Sequence, residues 1–222
     1  MSTARKVKHL MDLRILALVL VVFFLSTEAR AATFGFYNVT GNDLADAAAG
    51  EAQLTVDVTD PGSDQVLFTF HNEGSYNMFI NEIYFYDGKL SFDSIINSLG
   101  TSYSVVDEPP FTGNPGLAGY KNQTPLSLFL ATEADSPGTG GGGIDPGDSL
   151  QIFLNIKDPF DFEEILGDIG SSRIVVGIHV QGMGWDTDTD GSEGFVTTPV
   201  PGALLLGMLG MSVAGMKLRK FA

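Results

Sequence analysis

Apolar and polar residues alternate along much of the middle of this chain. Leu54, Val56 and Val58 are interleaved with Thr55, Asp57 and Thr59, and Val66, Phe68 and Phe70 with Leu67, Thr69 and His71. A period of two puts one set of side chains on one face of an extended chain, so these stretches predict half-buried β-strands. The same alternation recurs at Leu150, Ile152, Leu154 and Ile156, and at Ile174, Val176, Ile178 and Val180. Further strands are expected at 34–40, 80–86, 103–106, 126–131 and 194–197. Short strands separated by turn signals, each with an apolar face that needs a cover, predict an all-β fold: an antiparallel β-sandwich of jelly-roll or immunoglobulin-like kind.

One segment has the helical period instead. Phe162, Ile165, Leu166 and Ile169 fall at i, i+3, i+4 and i+7, with Asp158 as the expected cap, Pro159 in the first turn and Gly170 beyond the end. This helix is expected to plug one end of the sandwich. Shorter helical turns are expected at 43–49 and 92–99, and Pro137 to Gly143 (PGTGGGG) reads as a flexible loop.

The two ends of the chain follow neither period. Arg5, Lys6, Lys8 and Arg14 precede eleven unbroken apolar residues, Ile15 to Leu25. Those eleven reach ~16 Å as a helix against ~30 Å of hydrocarbon, which fits the core of a signal peptide better than a span. Ala29 and Ala31 then supply the small side chains that a signal peptidase requires, which predicts cleavage between Ala31 and Ala32. At the other end Pro199, Val200 and Pro201 lead into a second uncharged run, Gly202 to Met216, closed by Lys217, Arg219 and Lys220. The run shows no polar 3.6-residue stripe, so it reads as a short transmembrane helix, with its basic end held on the cytoplasmic side. The chain therefore divides into a signal segment at 1–31, an exported body at 32–198 and a tail at 199–222.

Charge sharpens this division. Residues 32–198 carry 25 acidic side chains and only Lys89, Lys121, Lys157 and Arg173 as basic ones, a net charge of −21. Such a body has no basic footprint for nucleic acid, and the absence of cysteine excludes disulfides and thiolate metal sites.

The Pro-x-Pro, short apolar helix and terminal basic cluster resemble the PEP-CTERM sorting signal of Gram-negative bacteria that secrete exopolysaccharide. The match covers Pro199, Val200, Pro201, the helix, Lys217, Arg219 and Lys220, with Val200 where that signal typically has Glu. The resemblance implies an exosortase that cuts near the Pro-x-Pro and delivers the protein to the cell surface or the extracellular matrix. Stretches of the body, among them Val66–Phe70, Ile83–Gly88 and Gly177–Gln181, are similar to a recurrent PEP-CTERM protein type for which no activity can be named. The partners implied are signal peptidase and exosortase as processing enzymes, the membrane through the tail helix before processing, and exopolysaccharide.

Three readings of activity stay open. The leading one is a surface or matrix protein without catalysis, because no G-x-S-x-G, no glycine-rich phosphate loop and no H-E-x-x-H occurs. The second is a calcium-dependent carbohydrate-binding module. Asp186, Asp188 and Asp190 stand on alternate residues before Gly191, the way a loop wraps Ca²⁺, with Glu193 as a further donor. Thr197 stands twelfth, where an EF-hand needs Glu, so that motif is excluded. Trp185, Tyr76, Tyr84, Tyr86, Tyr103 and Tyr120 supply rings on which sugars stack, although ordinary packing at strand positions is the favoured explanation for them. The third is a two-carboxylate hydrolase acting on polysaccharide, whose acid pair the fold and not the spacing would bring together. His71 and His179, both on the polar faces of strands, lack the further ligands of a zinc site.

Overall fold

A computed structural model describes residues 30–86, 88–106, 128–136, 140–184 and 191–198. Within them the chain forms ten antiparallel strands in one nearly closed sheet, with two helices. The order of elements is β1 (Ala31–Asn38), α1 (Leu44–Gln53), β2 (Leu54–Thr59), β3 (Gln65–Asn72), β4 (Phe79–Tyr86), β5 (Leu90–Asn97), β6 (Tyr103–Val105), β7 (Leu128–Ala134), β8 (Ser149–Ile156), α2 (Phe162–Gly170), β9 (Val175–Met183) and β10 (Gly191–Thr197). Across the sheet the strands run β5-β8-β3-β2-β1-β10-β9-β4-β7-β6.

The alternating stretches are the strands that the pattern predicts. Leu54, Val56 and Val58 of β2 and Val66, Phe68 and Phe70 of β3 are fully buried, while their neighbours are half-exposed. Two separate sheets are not what forms, because β1 changes partner along its length: Ala31 to Gly35 pair with β2, and Phe36 to Asn38 pair with β10. One strand thereby joins the two halves. Phe68 and Phe70 of β3 meet the ring of Phe85 of β4 edge to face, with centroids at 5.0 and 6.1 Å, so the inner faces of the halves share one core. At the far ends of the order, Asn97 of β5 bonds the backbone of Tyr103 of β6 through both its Nδ2 (3.2 Å) and its Oδ1 (2.8 Å), which almost closes the ring of strands.

Three local expectations change. Residues 92–99 do not form a helical turn; they lie in and just beyond edge strand β5, whose register against β8 slips between Phe92 and Ser94. That bulge places Phe92 and Ile95 on the same face three residues apart, which mimics a helical spacing. The cap of α2 is Asp161, which accepts from Glu164 N at 2.9 Å, and not Asp158; Gly170 is the last helical residue and not the one beyond. The turn expected at 43–49 extends to Gln53 as α1, capped by Asp43, which accepts from the backbone of Ala45 and Asp46. Gly50 lets α1 lie against β10, since a Cβ there would overlap the ring of Phe195.

Two buried polar networks fix the loops. Asn72, fully buried at the end of β3, donates from Nδ2 to the carbonyls of Met78 and Ile144 at 3.0 Å each and accepts from Gln53 Nε2 at 2.7 Å. Asp168 of α2 takes Lys89 Nζ at 2.7 Å and Arg173 Nε at 2.6 Å, which ties the helix to the start of β5. Burial works against that carboxylate, but the two cations outweigh it and hold its pKa below the ordinary value.

Candidate functional site

The outer face of β7, β4 and β9 carries the most unusual chemistry among the described residues. Register places Ser104, Glu133, Glu82, His179 and Gly194 in one row across five strands. Glu82 interrupts an otherwise nearly continuous apolar strand, F-I-N-E-I-Y-F-Y, every residue of which is buried. Its Oε2 accepts the hydroxyl of Tyr84 and stands 3.2 Å from His179 Nδ1, while Asn81 Nδ2 lies 3.4 Å from Oε1. Burial alone would raise the Glu82 carboxyl, but His179 and Tyr84 outweigh it and keep its pKa below the usual carboxylate range. Glu133, next to it on β7, goes the other way: partial burial and the Glu82 charge both raise its pKa. The Tyr84 hydroxyl is pushed far upward by burial and by Glu82, so it remains a donor at every relevant pH.

Adjacent to this row the face turns apolar. Tyr84, Tyr86, Ala131, Val175 and Val196 form a second buried cluster, separate from the main core. Burial raises the Tyr86 hydroxyl to about 12. Glu82, Tyr84 and His179 thus form one bonded group on a covered face, with the Glu133 carboxyl beside it in register. They also lock the pairing of β4 with β7 and β9, since a slip of one residue would turn Glu82 into the core.

The candidates read from the sequence are distributed differently. His71 lies in the other half of the sheet, where its Nε2 meets Asp57 Oδ2 at 3.1 Å, so the two histidines do not converge. Among the described residues no group of three or more metal-ligating side chains could hold an ion. Asp186, Asp188, Asp190 and Trp185 lie outside the described residues, between the paired ends of β9 and β10 at Met183 and Gly191. The root of that hairpin stands beside α1, for a Cβ on Gly191 would come within 2.7 Å of Asp46 Oδ2. Glu193 is not a spare ligand. It is buried, and its carboxylate takes Asn38 Nδ2 at 2.8 Å, Asp43 N at 2.6 Å and the Thr40 hydroxyl.

Tyr84, Tyr86 and Tyr103 are buried at strand positions and Tyr76 in the connection between β3 and β4, so none presents an open ring to a sugar; Tyr120 lies outside the described residues. Ala31 and Ala32 begin β1 opposite Thr59 and Val58. Ala29 and the tail residues Pro199, Val200, Pro201, Lys217, Arg219 and Lys220 lie outside the described residues. No helix among the described residues is long and apolar enough to cross a membrane. Sequence reasoning passes over Glu82 and Glu133, although a lone acid inside F-I-N-E-I-Y-F-Y is a signal in itself. No family model, no curated protein and no solved structure matches this chain.

Proposed function

We propose that this protein is an exported surface or matrix protein without catalytic activity, cleaved by signal peptidase after Ala31 and sorted through its PEP-CTERM-like tail by an exosortase. The observation that carries the reading is the pairing of the body's first strand with its last. Because β1 and β10 are antiparallel, with Phe36 opposite Thr197 and Thr198 N bonded to Gly35 O at 3.0 Å, the chain enters β1 and leaves β10 at the same end of the sheet. A body built so can rest one end on a membrane surface while both apolar segments are inserted, and two cuts at that end release it. We read the sheet as flattened into a sandwich, β5-β8-β3-β2 facing β10-β9-β4-β7-β6, on the strength of the Phe68, Phe70 and Phe85 contacts. The intact mass and N-terminal sequence of the native cell-envelope protein test the reading. The expected N-terminus is Ala32, with a mass that lacks the residues after the Pro-x-Pro; a native chain that begins at Met1 and retains Lys217 to Ala222 refutes it.

A second reading, a calcium-dependent carbohydrate-binding module, is favoured by the position of the Asp186, Asp188 and Asp190 loop, whose root abuts Asp46 at the start of α1. Binding of the native protein to purified exopolysaccharide, with and without calcium, separates it from the first. Release of reducing sugars would instead favour a polysaccharide hydrolase.

A further inference from the structure

The sheet has two edges, β5 and β6, and they differ in what they offer. β6 is three residues long, whereas β5 has eight. Between residues 91 and 96, β5 bonds β8 on one side only, and the backbone groups it turns outward have no hydrogen-bond partner among the described residues. Three of the five large apolar side chains that stand exposed among the described residues, Phe92, Ile96 and Leu99, belong to this edge or to the chain just beyond it. An unpaired strand edge with exposed apolar side chains is a template for another strand.

The bulge determines which strand fits. Antiparallel pairing of a regular strand with a copy of itself keeps side chains on matching faces only when the paired residue numbers have an even sum. In β5 the slip at Asp93 reverses that parity beyond it: Phe92 lies opposite Leu154 and Ile95 opposite Ile152, so the two share a face and a hydrogen-bonding direction. Ser91 and Ile96, opposite Asn155 and Gln151, share the other. A second β5 laid antiparallel across a two-fold axis at the Asp93–Ser94 step therefore pairs Phe92 with Ile95 and Ser91 with Ile96, with faces and backbone groups matched throughout. The same axis sets Asp93, the only charge on the strand, opposite a serine and not opposite its own copy. Ser94 Oγ already reaches Asp93 Oδ2 within the chain, at 2.9 Å.

We infer that β5 is a homodimerisation edge, through which two copies of this chain pair antiparallel over residues 91–96 and extend the sheet across a two-fold axis at Asp93–Ser94. An isologous contact of this kind closes on itself and does not propagate into a fibre. Each exported body is strongly acidic, so salt that screens the repulsion strengthens the pairing.

The test uses the absence of cysteine from the chain. Ser91→Cys and Ile96→Cys are introduced into the full-length protein in detergent, singly and together, and oxidised. Directly opposed positions lie within reach of a disulfide, whereas a residue and its own copy, five positions out of register, do not. The double variant is expected to give about tenfold more covalent dimer than either single variant, with more at high salt. An equimolar mixture of the two single variants gives a cross-linked heterodimer with one substitution per chain, which keeps the test valid if the double variant folds poorly. No dimer above the single variants overturns the inference. Equal dimer in all three overturns the register. Cysteines that resist a small thiol reagent in the folded protein also overturn it, because the edge is then covered by the chain itself.

Discussion

Replacing Asn72 measures how much the buried amide network contributes. Its side chain makes three hydrogen bonds, to Met78 O, Ile144 O and Gln53 Nε2, in a fully buried position. The three partners do not suffer equally in Asn72→Ala. Gln53 Nε2 keeps the Tyr76 carbonyl at 3.1 Å, and Ile144 O keeps the amide of Ile80 at 3.2 Å, so only Met78 O loses its side-chain donor outright. One orphaned acceptor costs ~1–3 kcal/mol and each weakened partner ~0.5–1; with a small cavity the loss should be about 3–4 kcal/mol. Asn72→Asp should cost more at neutral pH, although it is nearly isosteric, since it places a carboxylate oxygen against two carbonyls. Lowering the pH should recover part of that loss, because the protonated acid regains one donor. Urea unfolding followed by tryptophan fluorescence and circular dichroism reads both, and at ~2 kcal/mol/M the alanine midpoint falls by roughly 1.5–2 M. An alanine loss under ~1 kcal/mol, or an aspartate variant that matches alanine at every pH, refutes the account.

Three further outcomes follow from the sites described above. Glu82, whose pKa the fold lowers, contributes stability that is present above its unfolded value of about 4.3 and lost as pH falls through the lower folded value; Glu133, raised, does the reverse. In thermal melts across pH, Glu82→Gln should therefore flatten the acid limb, and Glu133→Gln should raise Tm at pH 7 with no gain below pH 4; unchanged profiles would discard the network. Millimolar calcium should raise Tm more than sodium chloride of equal ionic strength, and Asp188→Ala with Asp190→Ala should remove most of the difference; a variant that responds like the parent leaves the loop an acidic turn. Reversing Lys217, Arg219 and Lys220 to Glu should delay surface delivery, read by fractionation and intact mass, and unaltered yield and mass would count against the sorting role of the tail.

The sequence yields those parts of the fold in which one face is buried. β2, β3 and β8 alternate cleanly because only one side of each meets the core, and α2 shows its period because Phe162, Ile165 and Ile169 share a buried face. β4 shows no alternation because both its faces are covered, and for the same reason the pairing of Glu82 with His179 is invisible along the chain: it depends on register between strands almost a hundred residues apart. β5 misleads because a bulge gives extended chain the spacing of a helix. The joining of both halves through β1 also leaves no trace in any local window, since its partners β2 and β10 lie at opposite ends of the body.

That arrangement of β1 governs when the sheet can be completed. β1 is the first strand to be synthesised and β10 the last, yet they are neighbours in the middle of the strand order. Pairings so distant along the chain form late, because a large loop must close before they repay its entropy. A chain emerging with its N-terminus first keeps one edge of β1 open until residue 197 has appeared. The half that contains β4, β7 and β9 is tied to the half that contains β2 and β3 by short connections such as residues 73–78, but the two are not joined strand to strand through β1 until then. Completion of the sheet is thus a checkpoint on length: a product truncated before β10 leaves β1 and β9 each with an open edge in the middle of the sheet, which marks it for aggregation or proteolysis.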